Sequence, residues 1–248
     1  MLHLLGGVVG FLKLGLSLIA LMALVPRLLP SLMGSLYDVV IVKMTAKWYK
    51  AVLEELKPDS RVLDVGIGTG AALARNAATV RLKRLDIVGV DYEREYINHA
   101  QGVIQAAGLE SLVSLVCASI YDKALATRFA RPLNFDAVYF SGSLTLMPDP
   151  AGALTAAAAM LKPGGKVYIT QTYQNAHSPV TAVLKPWLRT LTTIDFGRLT
   201  YYSEVAAIID AARMKVLEDR PVPGSLDSSR YQTARLLVLQ ANQDRVKS

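Results

Sequence analysis

The sequence predicts an α/β fold: a mostly parallel, seven-stranded sheet with helices on both faces and an antiparallel hairpin at its C-terminal end. Three observations predict it. Short apolar runs alternate with stretches of helical period between Val39 and Ala212, and such alternation means a parallel sheet with covered faces. The first of these runs, Arg61–Gly66, reads as a buried strand that ends in glycines. The last two strand-like runs, Met214–Pro221 and Tyr231–Ala241, are joined by a Pro-Gly-Ser loop. That loop is too short for a crossover helix, so these two strands pair antiparallel.

An N-terminal hydrophobic helix is expected to precede the sheet. Leu4–Val25 carries one charge, Lys13, and the first acidic residue of the chain is Asp38. Roughly 20 apolar residues span a bilayer core, and a central lysine erodes the gain by about 3 kcal/mol. Gly6, Gly10, Lys13 and Ser17 share one helical face, where Lys13 can snorkel or pack against a neighbour. Three readings compete: a membrane anchor, a cleaved secretory signal, and a buried core helix. The anchor is preferred, because no small-residue cleavage site precedes Pro26. Leu28–Leu36 is again apolar, and Lys43, Lys47, Lys50 and Lys57 follow it. The positive-inside bias then keeps the rest of the chain in the cytosol. The expected division is an anchor over 1–36 and one α/β domain over 37–248.

The elements follow in order. Val39–Leu56 is an amphipathic helix stopped by Pro58. After the Arg61–Gly66 strand, Ala71–Leu82 is an Ala-rich helix and Asp86–Asp91 a strand. Arg94–Ala107 is a helix closed by Gly108. Leu112–Ala118 and Phe135–Ser141 are strands, Ala151–Leu161 a helix, and Lys166–Thr172 the fifth strand, entered by a turn at Lys162–Gly165. Tyr173–Thr200 is an irregular insertion before the helix Ser203–Ala212.

Composition narrows the classes. Of 248 residues, 52% are hydrophobic and 19% charged, which excludes intrinsic disorder. The single cysteine, Cys117, excludes an internal disulfide framework and a cysteine-based zinc cluster. His3, His99 and His177 lack metal-ligand spacing, so no metal is expected. The formal charge of +7 suits nucleic acid or an anionic membrane. No dense basic-aromatic stripe accompanies it, so no nucleic-acid partner is expected and membrane-facing lysines account for the charge.

The strongest local signal is Val62–Leu73, VLDVGIGTGAAL. A buried strand runs through Gly66, Gly68 and Gly70 into a helix. Glycines let the backbone turn with φ > 0 and approach a ligand, and the helix start offers unpaired N–H groups. Gly66-x-Gly68-x-x-Ala71 also fits the dinucleotide fingerprint, and Asp91 suits a ribose in either case. Asp64 before the loop, the segments FDAVYFSGSL and LKPGGKVYI, and the terminal hairpin decide between them.

In that order these motifs resemble a class I S-adenosylmethionine-dependent methyltransferase, with its Rossmann-like sheet, over roughly Tyr37–Ala241. The resemblance implies S-adenosyl-L-methionine as cofactor and roles for matching positions. Asp64 would organise the loop and hold the methionine amino group. Gly66, Ile67, Gly68, Thr69 and Gly70 would pass their backbone under the cofactor. Asp91 would accept from the ribose hydroxyls, and Tyr92 would cover one adenine face. The family's third-strand acidic residue is missing: Ser119 stands there, flanked by Ile120, with Asp122 as a less favoured substitute. Ser141 and Gly142 would lie beside the methionine part and the reacting methyl.

The family builds its acceptor pocket from the N-terminal helix and the insertion after the fifth strand. Those parts here hold Tyr37, Trp48, Tyr49, Tyr173, His177, Trp187, Asp195, Tyr201 and Tyr202. An aromatic pocket suits a small organic or lipid-like acceptor. His177 is the preferred general base, with Tyr173 and Asp195 as further catalytic candidates. Asp136 reads as a surface or helix-facing residue rather than a catalyst. The absence of a [D/N]-P-P-[Y/F/W] motif after the fourth strand disfavours nucleobase and glutamine methylation. The expected function is methyl transfer to a small or lipophilic acceptor (lipid, quinone, sterol, amine or thiol) at a membrane. Alternatives are a protein or RNA methyltransferase, and a non-catalytic cofactor-binding adaptor.

Overall fold

A computed structural model describes residues 42–129, 134–175, 200–225, 228 and 232–241. The chain divides into two compact units. One comprises Val42–His177 and Gly197–Ser248; the other, Met1–Ile41 with Ser178–Phe196, lies outside the described residues.

The first described element is α1, Lys43–Glu55. Trp48, Tyr49, Val52 and Leu53 recur at helical spacing and are all buried on its inner face, where each contributes about 2 kcal/mol. The helix stops before Pro58. Its last carbonyls are held by Lys83, whose Nζ donates to the oxygens of Leu53, Glu54 and Leu56 at 2.8, 2.6 and 2.6 Å.

Strand β1, Arg61–Val65, leads into two short helices, α2 (Ala71–Ala74) and α3 (Ala77–Lys83). The single helix expected over 71–82 is broken at Arg75–Asn76. Asn76 leaves helical φ/ψ and its amide donates to the carbonyls of Ala46 and Ala72 at 2.9 Å, which pins the break to α1. Next come β2 (Asp86–Asp91), α4 (Arg94–Ala106) and β3 (Val113–Cys117). A short helix absent from the sequence reading, α5 (Lys123–Arg128), is capped by Asp122, which accepts from the amide of Ala124.

Strand β4, Phe135–Ser141, runs into one 3₁₀ turn, Leu144–Leu146, and then α6, Pro150–Ala159. Strand β5 begins at Leu161 and ends at Gln174, longer at both ends than expected. The turn expected at Lys162–Gly165 is instead an irregularity within the strand: Phe135 pairs with Leu161, then Ala137 with Lys166. Gly164 supplies φ +81° there, and Lys162 Nζ bonds both oxygens of Asp136. Asp136 also accepts from the amide of Arg61 at 2.8 Å, so its carboxylate is engaged between strands and is not simply a surface or helix-facing group. Helix α7 (Tyr202–Ala211) and strands β6 (Met214–Pro221) and β7 (Gln232–Ala241) complete the chain.

The sheet order is β3-β2-β1-β4-β5-β7-β6. The first five strands are parallel; β7 lies antiparallel between β5 and β6. The terminal hairpin is therefore present as expected. Because β1 starts one crossover towards β2 and its other neighbour is β4, the strand order reverses between β1 and β4. Ligands of open α/β sheets bind at the carboxyl ends of such a pair.

Two buried clusters cover the faces. One packs Trp48, Tyr49 and Val52 of α1 onto Val62, Tyr139, Tyr168 and Val238. The other packs α6 and α7 onto Leu63, Val65, Phe140, Ile169 and Leu237. Strand alternation decides membership: Val62 faces α1 and Leu63 does not, so Asp64 returns to the α1 side.

Candidate active site

Asp64 is 1% exposed. Its Oδ2 accepts a 2.7 Å hydrogen bond from the hydroxyl of Tyr49, while its Oδ1 is buried without a partner among the described residues. Burial disfavours the ionised carboxylate and lifts its pKa to about 7; the Tyr49 bond opposes the rise, and the Asp91 charge adds to it. Tyr49 is itself fixed by an edge-on contact with the ring of Tyr139, 4.9 Å between centroids. The Tyr139 hydroxyl shares a 2.8 Å hydrogen bond with Thr170 Oγ1. Burial holds both phenols well above their usual range.

The loop after Asp64 turns as its glycines suggest. Gly66, Gly68 and Gly70 have φ of +78°, +58° and +69°. Gly66 also stands too close to Ser143 for any side chain: a Cβ there would lie 2.6 Å from the Ser143 Cβ. Ser143 donates its hydroxyl to the carbonyl of Val65, tying the loop to the end of β4. The amides of Gly66 and Ile67 donate to Val90 O, and that of Gly68 to Asp91 Oδ2 at 3.0 Å. Ile67, expected along the cofactor, turns its side chain inward instead. It is 6% exposed and fills the space above Gly89, where a Cβ would lie 2.4 Å from its Cδ1. Only its backbone is left to the cleft. Thr69 lies between the last two glycines on the same turn.

Asp91 is 8% exposed at the end of β2. Its second oxygen accepts from the amide of Glu93 at 3.0 Å. Each carboxylate oxygen has a further lone pair, so the group keeps capacity for two hydroxyl donors. Tyr92 projects into solvent, 76% exposed. Ser119 is exposed and its hydroxyl accepts from the amide of Tyr121 at 3.3 Å. Asp122 is committed to capping α5, which favours Ser119 of the two. Ile120 is 5% exposed within the cluster containing Val90 and Leu125; its side chain belongs to the core and not to an open ring-stacking surface.

At the end of β4, Ser141 places a buried Oγ beside the Tyr139 hydroxyl. Gly142 has φ +69°, and a Cβ on it would sit 3.2 Å from Trp48 Cζ3. The indole of Trp48 is anchored by a 3.1 Å bond from Nε1 to Ser225 Oγ. Trp48, Tyr49 and Tyr139 thus form a buried aromatic cluster behind Asp64 and Gly142.

Tyr173 does not join this cluster. It lies on the other face of β5, with Val167 and Ile169. It is 2% exposed, its ring stands 5.7 Å from that of Tyr202, and its hydroxyl has no hydrogen-bond partner among the described residues. Burial, helped by the nearby Asp219 charge, raises its pKa. That position corrects its assignment as a catalytic candidate: the sheet separates it from Asp64 and Gly142. His177, Asp195, Tyr37 and Trp187 lie outside the described residues. Among the described residues no cluster of three His, Cys, Asp or Glu suits a metal ion. An apolar groove of about 200 Å³ runs between α7 and β6, along Tyr202, Val205, Ile209, Met214 and Leu237; it lies away from the glycine loop.

A family model described as a methyltransferase domain matches residues 43–206, from α1 through the start of α7. The chain belongs to this family. It is a class I S-adenosylmethionine-dependent methyltransferase. It is 32% identical over 165 residues to a protein of Burkholderia thailandensis named ubiquinone biosynthesis O-methyltransferase, spanning 65% of this chain and 67% of that protein. A methyltransferase from Geobacter sulfurreducens, solved with S-adenosyl-L-homocysteine, shares the fold at a TM-score of 0.54 and 17% identity, covering 79% of this chain and 90% of that one. Another, from Aquifex aeolicus, gives 0.58 at 20% identity, over 84% and 97%.

The residues present fit the cofactor. Asp64 Oδ1 is a buried acceptor with no donor among the described residues, a costly state that a donor would relieve. The glycine turn leaves the backbone bare beside it. Sequence reasoning placed Tyr49 in the acceptor pocket but missed its bond to Asp64, and it missed Ser143 and Thr170 altogether. The small residue following Ser141-Gly142 was a local signal for Ser143; the other two depend on packing between distant elements.

Proposed function

We propose that this methyltransferase acts at a membrane on a small, lipophilic acceptor of the quinone type, its relatives being named ubiquinone biosynthesis O-methyltransferases. The observation that carries the reading is the likeness to relatives named for O-methylation in ubiquinone biosynthesis. Trp48, Tyr49 and Tyr139 are buried behind the site, where they position Asp64 and the Gly142 turn.

The cofactor supplies an electrophilic methyl group; the chain binds, orients and keeps water out. Asp64 takes the ammonium of the methionine part on its vacant oxygen. Asp91 takes the ribose hydroxyls, Tyr92 covers the adenine, and the Ser119 hydroxyl serves the adenine amino group. Ser141 and Gly142, at the end of β4, lie beside the methionine part and the reacting methyl. His177 takes the acceptor's proton if that acceptor is a phenol, with Asp195 of the same insertion as a further candidate.

The membrane part rests on the apolar leader, residues 1–36, which lies outside the described residues. No helix among the described residues is long and apolar enough to cross a membrane. The full chain is expected to sediment with anionic phospholipid vesicles, whereas a chain beginning at Ser35 stays in the supernatant. Equal partitioning of the two removes the membrane from the proposal. The catalytic domain is placed on the cytosolic side, next to the lysines of α1.

A further inference from the structure

We infer that Tyr49 is a positioning residue: its hydroxyl holds Asp64 so that the other carboxylate oxygen is presented, ionised, to the cofactor's ammonium group. The inference rests on the reading of Asp64 given above and deepens it.

The geometry carries the argument. Tyr49 and Asp64 are 3% and 1% exposed, so water cannot substitute for either partner. The 2.7 Å bond occupies Oδ2 and leaves Oδ1 as the vacant acceptor. Tyr49 has no freedom to turn away, because its ring is held edge-on by Tyr139 and lies in the buried face of α1. A phenol donates to a carboxylate more strongly than a neutral pair would, and a donor aimed at the ionised form favours that form.

Nothing else nearby does this. The groups facing Asp64 are Tyr49 from α1, Tyr139 beside it on β4, and Asp91 at the end of β2. Tyr139 shares its hydrogen bond with Thr170 and makes none to Asp64, and Asp91 repels. Within the described residues, Tyr49 is thus the favourable partner that Asp64 has. The consequence is a coupling: the helix that lines the acceptor side also sets the charge state of the cofactor site.

The test is calorimetric binding of S-adenosylhomocysteine between pH 5.5 and 9, with thermal unfolding as a check on folding. In the wild type, affinity falls on the acid side as Asp64 takes a proton, and on the alkaline side as the ligand's amino group loses one. Tyr49→Phe keeps the ring and its contact with Tyr139. It is expected to move the acid limb up by about one pH unit and weaken binding about five-fold at pH 7, leaving the alkaline limb in place. If Phe disturbs folding, Tyr49→3-fluorotyrosine, a stronger donor of the same shape, is expected to move the acid limb down. An unmoved acid limb, whether affinity is unchanged or uniformly reduced at every pH, overturns the inference. Asp64→Asn separates the two levels. If it binds as the wild type does, the reading of Asp64 falls; if it weakens binding and removes the acid limb while Tyr49→Phe moves nothing, only the role of Tyr49 falls.

Discussion

Asp64→Asn is expected to stabilise the cofactor-free protein at neutral pH while weakening its binding of the cofactor. The folded protein holds the Asp64 proton up to about pH 7, whereas the unfolded chain releases it near 3.8. The sign follows: below pH 3.8 both states are protonated and nothing is lost. As pH rises from 3.8 to 7 the unfolded state is favoured increasingly, and above 7 the penalty is constant. A span of about three pH units at 1.36 kcal/mol each gives a penalty of about 4 kcal/mol. Asparagine keeps an acceptor for the Tyr49 hydroxyl and cannot ionise. It brings an amide NH₂ into the space of the unpartnered Oδ1, at a cost of about 1–3 kcal/mol. The net gain at pH 8 is about 1–3 kcal/mol, or several degrees in Tm for a chain of this size. The assay is thermal unfolding of both proteins without ligand at pH 4.5, 6, 7 and 8. The advantage of the asparagine variant should shrink as pH falls and vanish or reverse by pH 4.5. A difference that is constant across this range would refute the reasoning, because only titration of Asp64 produces the slope.

Three further outcomes are expected. Asp91→Ala should weaken S-adenosylhomocysteine binding by at least ten-fold in calorimetry, since it removes the ribose acceptor and releases the Gly68 and Glu93 amides. Lys83→Met should lower stability by about 1–2 kcal/mol in denaturant titration, because three carbonyls at the end of α1 lose their shared donor. Gly142→Ala forces an alanine into φ +69° and its Cβ to 3.2 Å from Trp48, which Ser225 holds in place. It should cost about 1–2 kcal/mol and reduce kcat more than it alters cofactor affinity.

The glycine loop, Asp91 and the terminal hairpin were legible because each is written locally. Three glycines that must take φ > 0, a carboxylate at a strand end, and two strands with too short a connection are properties of contiguous residues. The break at Asn76 was not, because it exists to meet the Ala46 carbonyl on another helix. The Tyr49–Asp64 bond depends on how α1 rotates over β1, which no spacing within either element records. Tyr173 shows a partial signal. Its parity with Val167 and Ile169 puts it on one face of β5, but that this face meets α6 and α7 rather than α1 follows only from the packed sheet. The strand that absorbed Lys162–Gly165 was hidden by a Pro-Gly-Gly run that ordinarily reads as a turn, and the Asp136–Lys162 ion pair accompanies its entry into the sheet.

The central claim is methyl transfer to a small lipophilic molecule, and one measurement addresses it most directly. The full chain, in phospholipid vesicles with methyl-labelled S-adenosylmethionine, is offered catechols carrying apolar tails of increasing length, together with peptides and RNA. Label is expected in the solvent-extractable fraction as an aryl methyl ether, at a rate that rises with tail length and is lost in Asp91→Ala. Label retained on peptide or RNA, or no transfer to any tailed phenol, would contradict the account.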